Sequence, residues 1–121
     1  MLSALLVEDD PDIQRVVRLA LRRAEIDVSV VETGEAALAA VSAHPPDIIL
    51  LDSMIPGLDG VDTCARLKAD PATRDIPVIF LSAKSQDADV ARGLAAGAVG
   101  YITKPFDTRL LGARVRAFLG R

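Results

Sequence analysis

Short apolar runs alternate with longer segments of helical spacing along this 121-residue chain. Each run is bounded by turn-forming or charged residues, and the runs are Ala4–Val7, Val28–Val31, Ile48–Leu51, Val78–Leu81 and Val99–Ile102. The run Ile48–Leu51 has no polar interruption, which is typical of a strand buried on both faces, as in a parallel sheet.

The segments between the runs carry apolar residues at steps of three and four, which predicts amphipathic helices. The first helix starts at Pro11, because Pro is favoured at the first helical position, and turns Ile13, Val16 and Val17 inward. The other helices are expected at about residues 34–43, 60–69, 86–96 and 107–119. Five βα units predict a single α/β domain over residues 1–121, with a doubly wound five-stranded parallel sheet and right-handed crossovers.

Composition excludes several classes of protein. A net charge of −3 and a pI of about 5.0 argue against direct binding to nucleic acid. The chain has one cysteine, Cys64, so it cannot form an internal disulfide, and a single His excludes a zinc site of the usual kind. No signal peptide or apolar run of membrane-spanning length is present, so we expect a cytoplasmic protein without a membrane partner.

The polar residues that carry candidate chemistry follow the first, third, fourth and fifth runs, at the carboxyl ends of the predicted strands. They are Glu8, Asp9 and Asp10 after the first, Asp52 after the third, Ser82 after the fourth, and Thr103, Lys104 and Pro105 after the fifth. In a parallel sheet these ends share one rim, where carboxylates favour Mg²⁺ while a hydroxyl and an ammonium favour an anion. The combination predicts a phosphoryl-transfer site in which a carboxylate can act as the nucleophile.

Each of these residues also has a simpler interpretation. Asp10 stands before Pro11 and is suited to be only the N-cap of the first helix. Lys104 taken alone is a solvated loop lysine, and Asp52 taken alone is an acidic residue that starts a loop. The order of the four groups along the chain is what favours the functional interpretation.

At this point the sequence closely resembles the receiver (CheY-like) domain of two-component response regulators over essentially its whole length. The matching stretches are Leu6–Pro11, Leu51–Gly60, Ile76–Ala83 and Gly97–Phe106. Each stretch is weak alone, whereas all four in this order are specific. The resemblance implies the strand order 2-1-3-4-5.

The resemblance also implies a role for individual residues. Asp52 is similar to the phosphoacceptor that takes a phosphoryl group from the phosphohistidine of a histidine kinase or phosphotransfer protein. Asp9 and Asp10 resemble the acid pair that holds the Mg²⁺ cofactor together with Asp52 and the backbone carbonyl of Met54. Such a domain is a phosphoacceptor protein and not an enzyme, although it catalyses its own phosphotransfer and slow dephosphorylation.

Four further positions match the switching part of the family pattern. Ser82 and Lys104 resemble the hydroxyl and the ammonium that bind phosphoryl oxygens, and the bond to Pro105 is cis in the family. Tyr101 matches an aromatic residue that changes rotamer when the hydroxyl moves; a half-buried tyrosine on an edge strand is its simpler interpretation. The surface that would change is built by the fourth helix, fifth strand and fifth helix, with candidate contacts to a partner or output domain at Arg92, Tyr101, Arg109 and Arg116.

The resemblance has one departure on that surface. Receivers that dimerise through it usually carry acidic residues where this chain has Val99 and Gly100. Ion pairs to the last helix, near Arg114, would therefore lose their partners, which argues against that dimer.

Three rival functions remain to be weighed. A flavodoxin-type cofactor binder needs a hydroxyl- and Gly-rich loop after the first strand, where Glu8 and Asp9 would repel a phosphate. A phosphatase of the haloacid dehalogenase type needs a second Asp two residues after its nucleophile, and the chain has Met54 there. A degenerate receiver that acts only as a docking module is disfavoured because every site residue is present.

Overall fold

A computed structural model describes residues 1–121, in which five strands and five helices alternate along the chain. The strands are β1 (Leu2–Val7), β2 (Ile26–Val31), β3 (Ile48–Leu51), β4 (Val78–Ser82) and β5 (Gly100–Thr103). The helices are α1 (Pro11–Arg23), α2 (Gly34–Ala43), α3 (Gly60–Ala69), α4 (Asp87–Ala95) and α5 (Thr108–Leu119). None of the five helices is long and apolar enough to span a membrane.

The strands form one parallel sheet in the order β2-β1-β3-β4-β5, which confirms the predicted fold class and strand order. Register aligns the last residues of β1 and β3, because Val7 faces Leu51, whereas Leu51 faces Phe80, two residues before the end of β4. β1 and β3 therefore end level, and β4 continues to Ser82 at the same edge of the sheet. Side chains that follow these ends meet at one rim.

Two apolar layers cover the sheet, one on each face. The layer beneath α1 and α5 includes Leu6, Leu21, Leu50, Ile79, Leu111 and Val115. The layer beneath α2, α3 and α4 includes Val41, Ile49, Leu51, Cys64, Leu67 and Phe80. All four residues of β3 are fully buried, as expected for the central strand of a doubly wound sheet. Burial raises the pKa of the Cys64 thiol to about 11, consistent with a core residue.

The predicted helix bounds are confirmed for α2 and α3, whereas α4 and α5 each begin one residue later than expected. The residue before α5, Asp107, accepts a hydrogen bond from the Arg109 backbone N–H and is its N-cap. The inward position predicted for Val16 is wrong, because the core face of α1 centres on Val17 and Leu21. One residue along a helix is a rotation of about 100°, which leaves Val16 38% exposed.

Candidate functional site

The polar rim of the sheet brings most of the predicted site residues together. Asp52 follows β3 and is 7% exposed, while Ser82 ends β4 and is fully buried. Lys104 follows β5 and reaches across the rim, and its peptide bond to Pro105 is cis. The parallel arrangement thus places a carboxylate, a hydroxyl and an ammonium at neighbouring strand ends.

Lys104 lies between two carboxylates. Its Nζ is 2.6 Å from Glu8 Oε1 and 3.2 Å from Asp52 Oδ2. Its side chain is 15% exposed, and those of Glu8 and Asp52 are 2% and 10% exposed. Because little water reaches these groups, each charge depends on its neighbours.

Burial and pairing act against each other on these pKa values. Burial is the largest influence on Glu8 and raises the pKa of its carboxyl, although the hydrogen bond from Lys104 opposes this. Burial alone would lower the pKa of Lys104, but the bond to Glu8 and the charge of Asp52 outweigh it and raise the pKa. Lys104 is therefore a firmly protonated cation at the rim.

The acidic residues that could hold a metal ion are Glu8, Asp9 and Asp52. One ligand atom from each lies within 4.8 Å of the others. Three carboxylates this close repel one another unless a cation is shared, and oxygen ligands are those that Mg²⁺ prefers. The donor set therefore fits Mg²⁺.

The structure corrects the predicted acid pair by one residue: Asp10 lies outside the acidic cluster and Glu8 is part of it. Asp10 Oδ1 accepts a hydrogen bond from the Asp12 backbone N–H at 2.9 Å, which makes Asp10 the N-cap of α1. Glu8 Oε2 instead accepts the Asp10 backbone N–H at 3.1 Å. Pro11 at the first helical position was the signal that identifies Asp10 as a cap, because an N-cap side chain turns toward its own helix.

The chain just after Asp52 folds back on its carboxylate. The Met54 backbone N–H donates to Asp52 Oδ1 at 3.0 Å, while the Met54 side chain is 59% exposed. This contact fixes the orientation of the Asp52 carboxylate on the side away from Lys104. The role of the Met54 carbonyl as a metal ligand stays a prediction.

Ser82 and Tyr101 are joined through the backbone of one residue of the β4-α4 loop, Lys84. The Lys84 backbone N–H donates to Ser82 Oγ at 3.1 Å, and the Lys84 carbonyl accepts from the Tyr101 hydroxyl at 2.7 Å. The Tyr101 ring is half-buried and stacks on Phe80 with ring centroids 5.5 Å apart. A movement of Ser82 would therefore displace the Lys84 backbone, to which the Tyr101 hydroxyl is bonded.

Comparison with known proteins decides the family. The family model described as the response regulator receiver domain matches residues 4–116. The chain belongs to this family. The receiver is 50% identical over 117 residues to the transcriptional regulatory protein CseB of Streptomyces avermitilis, which covers 97% of this chain and 48% of that protein. It is 43% identical over 117 residues to the DNA-binding response regulator MtrA of Mycobacterium tuberculosis, covering 97% of this chain and 50% of that protein. The chain thus spans about half the length of these relatives.

Solved structures agree with this assignment. The BeF₃-activated DrrB receiver domain superposes with a TM-score of 0.86 at 35% identity, covering 100% of this chain and 99% of that chain. The receiver domain of a sensor histidine kinase from Pseudomonas aeruginosa has a TM-score of 0.90 at 32% identity, covering 99% of this chain and 98% of that chain. That second structure has a magnesium ion coordinated in its active site cleft.

Glu35, which the sequence analysis did not single out, supports the loop after Asp52, and two glycines allow close packing of that loop. The Glu35 carboxylate accepts the Leu58 backbone N–H at 3.1 and 3.2 Å from its two oxygens. A Cβ on Gly57, whose φ is +76°, would lie 2.4 Å from Glu35 Oε1. A Cβ on Gly60 would lie 2.4 Å from the Asp52 carbonyl oxygen. Glu35 had no signal of its own in the sequence, because its contact spans 23 residues.

The three arginines predicted as partner contacts on the α4-β5-α5 face each bond to another residue of the chain. Arg92 and Arg109 are exposed but pair with Asp89 and Asp107 on their own elements. Arg116 donates to the Ala24 carbonyl at 2.8 Å, so its guanidinium turns to the end of α1.

Gly100, one of the two non-acidic positions noted in the sequence analysis, lies beneath an aromatic ring. A Cβ at this position would be 2.4 Å from ring carbons of Phe118. The Phe118 ring therefore covers the part of β5 where an acidic side chain would stand.

Proposed function

We propose that this receiver accepts a phosphoryl group on Asp52 from the phosphohistidine of a sensor histidine kinase or phosphotransfer protein, in a Mg²⁺-dependent reaction. The observation that carries the proposal is the position of Asp52 between unlike charges. Its Oδ2 lies 3.2 Å from Lys104 Nζ, and its carboxylate shares a cluster with Glu8 and Asp9. A nucleophile between an ammonium and a metal-binding pair is suited to receive a phosphoryl group.

The transfer itself needs little from the protein beyond position and charge. An oxygen of the Asp52 carboxylate attacks phosphorus as the P–N bond to the donor imidazole breaks, and the imidazole nitrogen keeps the electron pair. In this proposal Lys104 binds one phosphoryl oxygen, and Ser82 donates its proton to another. Glu8, Asp9 and Asp52 would hold Mg²⁺, which would neutralise charge that develops on the phosphoryl oxygens.

The signalling step follows from the connection between Ser82 and Tyr101. When Ser82 turns toward the phosphoryl group, the Lys84 backbone, which is bonded to both residues, shifts with it. Tyr101 lies on the α4-β5-α5 face, so this surface changes its fit to a partner or output domain. A phosphoryl group adds about −1.5 to −2 charges at the rim, enough to bias such a two-state element.

We further propose that the receiver is a phosphoacceptor and not an enzyme that turns over a separate substrate, and that it works in the cytoplasm with its kinase. Direct binding to nucleic acid is not proposed for these residues, whose net charge is −3. In the relatives named as transcriptional or DNA-binding regulators, about half of the length lies outside the region that this chain matches.

The test is the intact mass of the protein after incubation with acetyl phosphate, with and without Mg²⁺. We expect one added phosphoryl group that requires both Mg²⁺ and Asp52, and none in Asp52→Asn. Asp9→Asn and Asp10→Asn are a matched pair, because only the first removes a member of the carboxylate cluster. Asn is as good an N-cap as Asp, so Asp10→Asn keeps α1 intact and should be modified like the wild type.

A wild type without modification under any condition would refute phosphoacceptance and favour the docking-module function. Modification of Asp52→Asn would show that another residue is the acceptor. Equal loss of modification in Asp9→Asn and Asp10→Asn would refute the corrected acid cluster.

A further inference from the structure

Ser53, the residue directly after Asp52, makes a contact that the proposed reaction leaves unexplained. Its Oγ lies 2.5 Å from the Oγ of Ser82, the hydroxyl assigned to the phosphoryl group. Ser82 is fully buried and its remaining side-chain bond comes from the Lys84 backbone N–H. The Ser82 side chain therefore bonds Ser53 and Lys84, and makes no hydrogen bond to Asp52.

The capacity of a hydroxyl limits what Ser82 can do at one time. A serine hydroxyl has one proton to donate and two lone pairs to accept. The Lys84 N–H uses one lone pair, so the contact with Ser53 uses the second lone pair or the proton. A phosphoryl group on Asp52 needs that proton, because its oxygens are acceptors only.

We propose that Ser53 is a positioning residue that accepts the Ser82 proton, holds Ser82 away from Asp52 in the unphosphorylated receiver and so competes with the phosphoryl group for that proton. This inference rests on the proposed function. Ser53 then sets how much of the binding free energy of the phosphoryl group goes into breaking the serine pair. A receiver without the Ser53 hydroxyl would switch at a lower level of phosphoryl signal.

The surroundings of Ser53 allow the pair to break. Ser53 is half-buried and lines an open cavity of about 190 Å³ together with Lys84 and Tyr101. When Ser82 turns away, the Ser53 hydroxyl faces this cavity, where water can satisfy it. Breaking the pair therefore leaves no buried hydroxyl without a hydrogen-bond partner. The free energy of the pair is that of an ordinary neutral hydrogen bond. Such a bond corresponds to about a 2- to 10-fold change in an equilibrium constant.

The chain contains its own reporter for the switch. Tyr101 is the only Tyr and there is no Trp, so intrinsic fluorescence reports this position alone. Its hydroxyl donates to the carbonyl of Lys84, the residue whose backbone N–H donates to Ser82. Movement of Ser82 should therefore change the Tyr101 signal without any added label.

The experiment titrates wild type and Ser53→Ala with beryllofluoride, a phosphoryl mimic, at saturating Mg²⁺, and measures the half-saturating concentration from Tyr101 fluorescence. We expect Ser53→Ala to lower that concentration about 2- to 10-fold. Ser53→Thr keeps the hydroxyl and should stay close to wild type. In a Ser82→Ala background the effect of Ser53→Ala should vanish, because the partner in the pair is gone. A urea unfolding curve for each variant shows that the fold is retained.

An unchanged half-saturating concentration in Ser53→Ala overturns the inference. A raised one overturns it too, and assigns to Ser53 the opposite role of aiming the Ser82 proton at the phosphoryl group. An effect of Ser53→Ala that persists in the Ser82→Ala background would show that Ser53 acts through another residue. A wild type that gives no saturable signal and takes up no phosphoryl group refutes the proposed function itself, so the two failures are distinguishable.

Discussion

Replacing Lys104 with Met tests the charge balance of the rim most directly. Met keeps an unbranched side chain of similar length and removes the ammonium that lies 2.6 Å from Glu8 and 3.2 Å from Asp52. Two carboxylates that are 2% and 10% exposed then lose the cation that pairs with them. We expect Lys104→Met to lower the free energy of unfolding in the absence of Mg²⁺.

The size of the loss follows from the burial of the partners. Removing one member of a buried ion pair costs about 3–5 kcal/mol, since the remaining charge is left uncompensated. Lys104 is itself 15% exposed, so some water can reach the site and the expected loss is at the lower end, about 3 kcal/mol. In urea this lowers the unfolding midpoint by roughly 1.5 M.

Mg²⁺ should restore much of this loss, because the same carboxylates form the metal-binding cluster. Without Lys104 the cluster is more negative, so Mg²⁺ binds more tightly and stabilises the variant more than the wild type. Urea unfolding with and without Mg²⁺ at neutral pH measures both effects. Lys84→Met is the matched control, since Lys84 is exposed and its ammonium makes no ion pair.

The reasoning would be refuted by a loss below about 1 kcal/mol in Lys104→Met, the range of an exposed ion pair. Equal stabilisation of wild type and Lys104→Met by Mg²⁺ would show that the charge of Lys104 does not affect metal binding by the carboxylates. A loss of the same size in Lys84→Met would show that overall charge, and not the buried pair, sets the stability.

Three further changes test the support of the site and of the sheet. Gly60→Ala should cost about 1–3 kcal/mol in urea unfolding, because the new Cβ would lie 2.4 Å from the Asp52 carbonyl oxygen; a neutral result would show that the loop gives way freely. Glu35→Ala should weaken Mg²⁺ binding in calorimetric titration by freeing the Leu58 N–H, with Glu35→Gln intermediate; unchanged affinity would uncouple this loop from the metal site. The Ser3 backbone N–H lowers the pKa of Asp47, so Asp47 contributes stability above its ordinary value of 3.8 that is lost as pH falls through the lower folded pKa. Asp47→Asn should flatten the acid side of the stability curve, and an unchanged curve would contradict this.

Most of the fold could be predicted from the local pattern of apolar and polar residues. Ile48–Leu51 could be assigned to the centre of a parallel sheet because four consecutive apolar residues cannot face water on either side. The bounds of α2 and α3 agree with the prediction, and in the structure Thr33 and Asp59 cap their first turns with side-chain oxygens. Val16 shows the limit of such reasoning, because several registers of one apolar stripe fit a helix and only packing against the sheet selects one.

The site was predictable in kind but not in every member. Asp52, Ser82 and Lys104 were expected to meet because parallel strands align their carboxyl ends. The identity of the acid pair was one residue off, since the choice between Glu8 and Asp10 depends on where α1 begins and which way each carboxylate turns. Both residues carry a carboxylate, so residue type alone does not distinguish a metal ligand from a helix cap.

The sequence by itself determined the alternation of strands and helices and the set of polar residues at the strand ends. Both depend on periodicity and on residue type, which are local properties of the chain. Only the tertiary structure decided that Lys104 bridges Glu8 and Asp52, and that Ser53 pairs with Ser82. These contacts join residues 29 to 96 positions apart. They form because the parallel sheet brings the carboxyl ends of its strands to one edge.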